Sequence, residues 1–202
     1  MKRALIGTGA HAREVISIIN RNQTNIESIS CMFVDDVYYN ESDIRLIQPL
    51  SLFNPIEYEV IVAIGDSKIR EIVVNSLPKN TKFFTYIDPT AIIGELVSFG
   101  DGGYIGPNSI ITTNIQIGNH SLINRGCQIG HDTNIGDYLS MMPGSIISGN
   151  CILQNSIYIG TNSSIKEKIE VCSDVTIGLN SGVVKHITQN GTYVGTPSKK
   201  IK

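Results

Sequence analysis

The stretch Ile123-Asn124-Arg125-Gly126-Cys127-Gln128-Ile129-Gly130-His131-Asp132-Thr133-Asn134-Ile135-Gly136 places an isoleucine at every sixth position and follows two of the three with glycine. Followed outward, the same frame runs from Ile87 to Val183, and all 17 of its positions are apolar. The frame one residue later is apolar at only three of 17 (Met142, Cys172 and Val184) and is glycine at eight. A general apolar bias would raise both frames together, so the contrast requires a structural period of six. That period fits neither an α-helix nor an ordinary amphipathic strand; it is the period of a hexapeptide β-solenoid. Each hexapeptide supplies one short strand and a corner, and three of them make a triangular coil. The anchor aliphatic fills the interior, and a small residue four positions on (Ser109, Ser121, Cys127, Cys151, Ser163) packs where two faces meet. Glycine or asparagine is expected to take the left-handed backbone of the corner. Cys127 and Cys151 fall at the small interior position and read as buried filler.

The first 86 residues follow a different pattern. Ala4–Ile6 reads as a short buried strand followed by Gly7-Thr8-Gly9-Ala10-His11-Ala12, and an amphipathic run covers Arg13–Asn20. A second strand, Ile29–Val34, ends in Asp35-Asp36. A third, Val60–Ile64, ends in Gly65-Asp66-Ser67, with Ser67 as the cap of a helix through Leu77. This alternation predicts a small Rossmann-like α/β domain with a parallel sheet, its ligand at the carboxyl ends of the strands. Gly7-x-Gly9-x-x-Ala12 with Asp35 downstream imitates a dinucleotide fingerprint, but 86 residues supply about half of that fold. What the spacing supports is a glycine turn offering backbone N–H groups to a phosphate at a helix start.

Composition bounds the rest. In 202 residues, 17% are charged and the net charge is −2, which predicts no nucleic-acid footprint. Hydrophobic content of 41% excludes disorder. No apolar run approaches the ~18 residues of a membrane span, so no membrane insertion is expected. Met1-Lys2-Arg3 is followed by apolar Ala4–Ile6 alone before glycine intervenes, which argues against an export signal and for a cytoplasmic protein. The four cysteines show no CxxC, and no cluster has metal-ligand spacing, so no metal is expected.

The hexad ladder resembles the left-handed parallel β-helix of the hexapeptide acyltransferases. Gly191-Thr192-Tyr193-Val194-Gly195-Thr196-Pro197-Ser198-Lys199-Lys200-Ile201 is similar to the tail closing many of them. The left hand comes from this resemblance, since the usual crossover rule favours the opposite one. The organisation that follows is an α/β nucleotide-sugar domain at 1–86, a left-handed β-helix at 87–185 and a tail at 186–202. Joined to the Gly-x-Gly-x-His loop, the Asp-Asp strand end and the Ala-Ile-Gly-Asp turn, the ladder resembles one subgroup. These are the nucleotide-sugar N-acetyltransferases typified by the UDP-4-amino-sugar enzyme of bacillosamine synthesis, with the related sialic acid O-acetyltransferases. The resemblance implies an acetyl-CoA-dependent N-acetyltransferase acting on a UDP-, dTDP- or GDP-linked amino sugar for surface glycan or lipopolysaccharide biosynthesis. O-acetylation of a sialic acid or other sugar is the alternative, and a non-catalytic trimeric scaffold a more distant one.

By position, the resemblance assigns the nucleotide side to Gly9, Ala10, His11, Asp35, Asp36, Ile64 and Gly65, with Ala10 standing where relatives often have glycine. It assigns the base to His131 with acidic Asp132, and the oxyanion donor to the backbone N–H of Gly149. The stacking arithmetic agrees, since His131 is 18 residues, one coil, from Gly149. Ser140 replaces a second family histidine at the cofactor end. Gly160, Thr161, Gly178 and Leu179 match the corners that line the pantetheine groove, and Lys199 lies in a basic tail suited to CoA phosphates. A groove between neighbouring solenoids implies a homotrimer with inter-subunit active sites. His120 and His186 are read as surface residues.

Overall fold

The computed structural model describes residues 1–21, 28–40 and 46–202. Two compact units form: residues 1–65 with 69–84, and 66–68 with 85–202. In the first, β1 (Lys2–Ile6), α1 (Ala10–Arg21), β2 (Ile29–Val34), β3 (Ile47–Pro49), β4 (Tyr58–Val62), α2 (Ser67–Ser76) and β5 (Lys82–Phe83) follow in order. All strand pairs are parallel, in the order β3-β2-β1-β4-β5. β1, β2 and β4 are apolar and buried over Ala4–Ile6, Cys31–Val34 and Val60–Val62, where both faces of the sheet are covered. Ala4, Leu5, Phe33, Val60, Ile61 and Val62 are completely buried. The edge strands β3 and β5 were not foreseen. At two or three residues they carry no period, and β3 ends in a proline that only an edge tolerates.

The second unit is a left-handed parallel β-helix. Three sheets of parallel strands wind upward, each strand pairing with the one 18 residues on: Ile111 with Ile129, Ile129 with Ile147, Ile123 with Met141. Every anchor from Ile105 to Val183 is buried, forming one continuous core. Cys127 and Cys151 are fully buried in that core, where burial pushes both thiols up from their ordinary range. The first three anchors are the exceptions: Ile87 is 37% exposed and Ile93 and Phe99 are only partly buried, because each lies in the opening strand of its sheet. At the other end, Gly191–Val194 continues the ladder and pairs antiparallel with Lys199–Lys200, closing the solenoid.

The corners differ in detail from the expectation. From Leu96 to Asn180 every sixth residue has a positive φ, between 51° and 72°. Only three of these are glycine; asparagine, aspartate, Ser156 and even Leu96, His120, Tyr138 and Lys168 take the rest. The glycine-rich frame just after each anchor serves space instead. A Cβ on Gly130 would lie 2.5 Å from the Gly149 nitrogen, and one on Gly160 would lie 2.6 Å from the Leu179 nitrogen. The coils there approach too closely for any side chain.

Because Ile147 is fully buried, Ile147→Ala should destabilise the solenoid by about 2–5 kcal/mol. Ile92 is 61% exposed, and Ile92→Ala should stay within ~0.5 kcal/mol. Denaturant melts of the two variants check the contrast, and equal midpoints would contradict the assigned interior.

Candidate functional site

In the first unit the β1 and β4 strand ends open a crevice where the strand order turns back, the place α/β sheets use for ligands. Gly7 (φ +113°) turns the chain out of β1, its N–H donating to Phe33 O at 2.7 Å. Its Cα approaches the next loop so closely that a Cβ would lie 3.3 Å from Ala63 O and Ile64 Cγ1. Nothing lies within 4 Å of a Cβ built on Gly9 or on Gly65, so both loops face open space. Ala10 and His11 begin α1. His11 is largely enclosed, and burial lowers its pKa most, with the Arg70 charge adding to this against the opposing pull of Glu14. The imidazole is therefore held toward its neutral form. The sequence-predicted Gly9, Ala10, His11, Ile64 and Gly65 thus share one end of the sheet.

The two aspartates have different tasks. Asp35 caps the 3-10 turn Asp36–Tyr38 by accepting from Val37 N at 3.0 Å, and it borders a cavity of about 350 Å³. That cavity is walled by Gly7, Phe33, Tyr38, Leu50, Ile64 and the exposed Ile69 and Ile72 of α2. The Asp36 carboxylate instead accepts from Ser51 at 3.0 Å, and the Ser51 hydroxyl and N–H hold it below the usual carboxylate range. It ties two turns together across 15 residues and is not among the cavity's lining groups.

In the solenoid, His131 and Asp132 form the corner after strand Gln128–Ile129. Asp132 takes φ +57°, a left-handed conformation that aspartate tolerates better than most residues. Its backbone is held by the Asp132 N–H to Thr113 O at 3.1 Å, and His131 O accepts from Asn150 N at 2.7 Å. His131 Nδ1 lies 2.7 Å from Asp132 Oδ2, and Asn114 Nδ2 donates to Asp132 Oδ1 at 2.6 Å. These bonds, from Asn114 first and His131 second, hold the Asp132 carboxyl below its ordinary range. Both side chains remain about half exposed, so a ligand can reach them.

One coil on, the imidazole lies over Gly149. A Cβ there would be 2.7 Å from His131 Nε2, so the ring fits only above a glycine. The Gly149 N–H donates to no group among the described residues, whereas a different corner caps the equivalent N–H groups with side chains. There, Asn119 N donates to Asp137 Oδ1 and Asp137 N to Asn155 Oδ1. An imidazole with its Nδ1 tied to a carboxylate, its Nε2 open and an unspent backbone donor beside it can move a proton and steady a developing negative oxygen.

The residues expected on the cofactor side separate. Gly160 stacks with Gly178, and Thr161 with Leu179, along another corner; Thr161 and Leu179 are exposed. Lys199 is exposed in the closing strand pair. Ser140 is fully buried and offers no face to a ligand. His120 corrects the surface reading. It is only 7% exposed, its ring stacking on Tyr138 at 5.3 Å and packing over Gly102. His186 is exposed as expected, its Nδ1 accepting from Glu170 N. Among the described residues there is no group of three potential metal ligands, and no helix is long and apolar enough to cross a membrane.

The chain pairs a parallel α/β unit with a left-handed β-helix bearing a His-Asp corner, and the comparisons with known proteins return structures of the same fold. Residues 2–77 match the family profile of the PglD N-terminal domain. GDP-perosamine N-acetyltransferase of Escherichia coli O157:H7 is 29% identical over 141 residues, covering 66% of this chain; the match spans 63% of that relative's length, under two thirds. Among solved structures, WeeI from Acinetobacter baumannii superposes with a TM-score of 0.88 at 23% identity, covering 98% of this chain and 99% of WeeI. A mutant of perosamine N-acetyltransferase from Caulobacter crescentus, solved with CoA and GDP-perosamine, gives 0.87 at 20% identity, covering 98% and 96%. At these identities the structural likeness establishes the fold.

The Asn114 contact gives a direct test. Asn114→Ala should raise the Asp132 titration toward its ordinary range, read by carboxyl carbon NMR. A carboxyl lowered by folding contributes stability above its unfolded value and loses it as pH falls through the folded one. The variant should therefore show a smaller loss of stability on acidification. An unchanged Asp132 titration would contradict the assignment.

Proposed function

We propose that the protein is an acetyl-CoA-dependent N-acetyltransferase acting on the amine of a nucleotide-linked amino-deoxy sugar. The observation that carries the reading is the His131–Asp132 pair at 2.7 Å with Nε2 set over the unspent N–H of Gly149. GDP-linked sugars are the first to try, because the curated relative is a GDP-perosamine N-acetyltransferase and one structural neighbour holds GDP-perosamine and CoA.

In this mechanism the nucleotide diphosphate lies against the turns of Gly9, Ala10, Ile64 and Gly65, where backbone N–H groups and the start of α1 favour an anion. His11 adds a neutral donor and Asp35 a carboxylate at the cavity edge. Asp132 accepts from His131 Nδ1–H and so fixes the tautomer that leaves the Nε2 lone pair free. His131 Nε2 takes a proton from the sugar amine as the nitrogen attacks the thioester carbonyl carbon. The new C–N bond forms, the carbonyl oxygen gains charge, and the Gly149 N–H meets it. The C–S bond then breaks, and the protonated imidazole returns its proton to the thiolate leaving group. Asp132 stabilises the imidazolium in between.

Gly160, Thr161, Gly178, Leu179 and Lys199 are proposed to hold the pantetheine arm and phosphates. Their corner is a different edge of the triangular coil from that of His131, so one chain does not line both ends of one arm. A homotrimer, in which a neighbouring solenoid supplies the second edge, resolves this. The setting is surface glycan synthesis in the cytoplasm.

The test is thiol release from acetyl-CoA against UDP-, dTDP- and GDP-linked amino sugars, with free sialic acid included. Turnover with an amino sugar that falls by about 10²- to 10⁴-fold in His131→Ala is the expected result. Turnover with sialic acid alone would move the protein to O-acetylation, and no turnover together with no CoA binding would overturn the enzyme reading.

A further inference from the structure

The Arg70 side chain is fully buried, one turn into α2, in a domain whose core is otherwise aliphatic and aromatic. A buried guanidinium is expensive unless its donors are used. Arg70 Nη1 donates to Ile64 O at 2.6 Å and reaches Gly65 O at 3.4 Å, two consecutive carbonyls of the turn leaving β4. A trans peptide points its N–H opposite to its C=O. Drawing the Ile64 carbonyl inward therefore turns the Gly65 N–H the other way, on the residue whose missing side chain leaves open space. The Arg70 charge also acts on His11, at the start of α1, lowering its titration alongside the larger influence of burial.

We propose that Arg70 is the positioning residue of the nucleotide site: it fixes the Ile64–Gly65 peptide so that its N–H faces the bound diphosphate, and it sets a buried positive charge behind both phosphate loops. The inference rests on the nucleotide-sugar reading above and adds a residue that touches no substrate. It also has a second consequence. His11 is faced by Glu14 from its own helix and by Arg70 from α2. Burial is the largest influence lowering its titration and the Arg70 charge works in the same direction, so removing that charge should let the imidazole titrate higher.

Three measurements separate this role from a merely structural one. Arg70→Gln should raise KM for the nucleotide sugar about 10- to 100-fold, the value of a charge-assisted hydrogen bond, with kcat and KM for acetyl-CoA little changed. It should also shift the His11 titration upward by NMR. Arg70→Lys keeps the charge but loses the planar fork, so it should restore the His11 titration without restoring KM. In the wild-type protein, GDP should shift the Gly65 amide resonance and slow its hydrogen exchange, a readout that needs no variant to fold. Wild-type turnover with an unmoved Gly65 amide, or with KM unaltered in a folded Arg70 variant, would overturn the proposal alone. A wild type that binds no nucleoside diphosphate would overturn the nucleotide-sugar reading with it.

Discussion

Each coil of the solenoid rests on the one before through backbone hydrogen bonds at a fixed separation of 18 residues, and this register decides what every corner can do. It places His131 over Gly149 and leaves room for the ring only because that position has no side chain. It sets Asp132 beside Asn114, which orients the carboxylate that in turn orients the imidazole. Left-handed corners are strained for most residues, at roughly 1–2 kcal/mol each. The continuous aliphatic core and the side-chain caps along one edge offset that strain, so the His-Asp corner stands on a rigid support.

The α/β unit solves a different problem. In the proposed reading its crevice presents backbone donors to an anion, yet a loop of donors has no intrinsic reason to point one way. Gly7 turns the first loop and the buried Arg70 holds the carbonyls of the second. Asp36 braces the adjoining 3-10 turn through Ser51, leaving Asp35 as the carboxylate at the cavity edge. On that proposal, directionality comes from groups behind the ligand rather than from groups touching it.

The period of six made the solenoid, its interior anchors and the filler role of Cys127 and Cys151 legible without coordinates, because a strict repeat binds spacing to geometry. The Gly149–His131 stacking followed from the same arithmetic. That arithmetic also contained His120, which has Gly102 one coil before it and Tyr138 one coil after; read alone it looked like surface, and read by coil it is a buried stack. Asp36 and Arg70 lay beyond sequence reasoning for another reason. Their partners are a turn 15 residues away and two backbone carbonyls, and neither leaves a pattern in side-chain spacing. Ser140, matched by position to a family histidine, is fully buried, and positional matching carries no information about exposure.

The central claim is that His131 Nε2 and the Gly149 N–H flank the reacting atoms. A crystal structure of the assembled protein with CoA and a GDP-linked amino sugar tests it most directly. The account predicts the sugar amine within about 3 Å of His131 Nε2, or joined to it by one water, with the thiol end of CoA alongside Gly149. An amine bound in the α/β crevice but remote from His131, or CoA seated away from that corner, would contradict it.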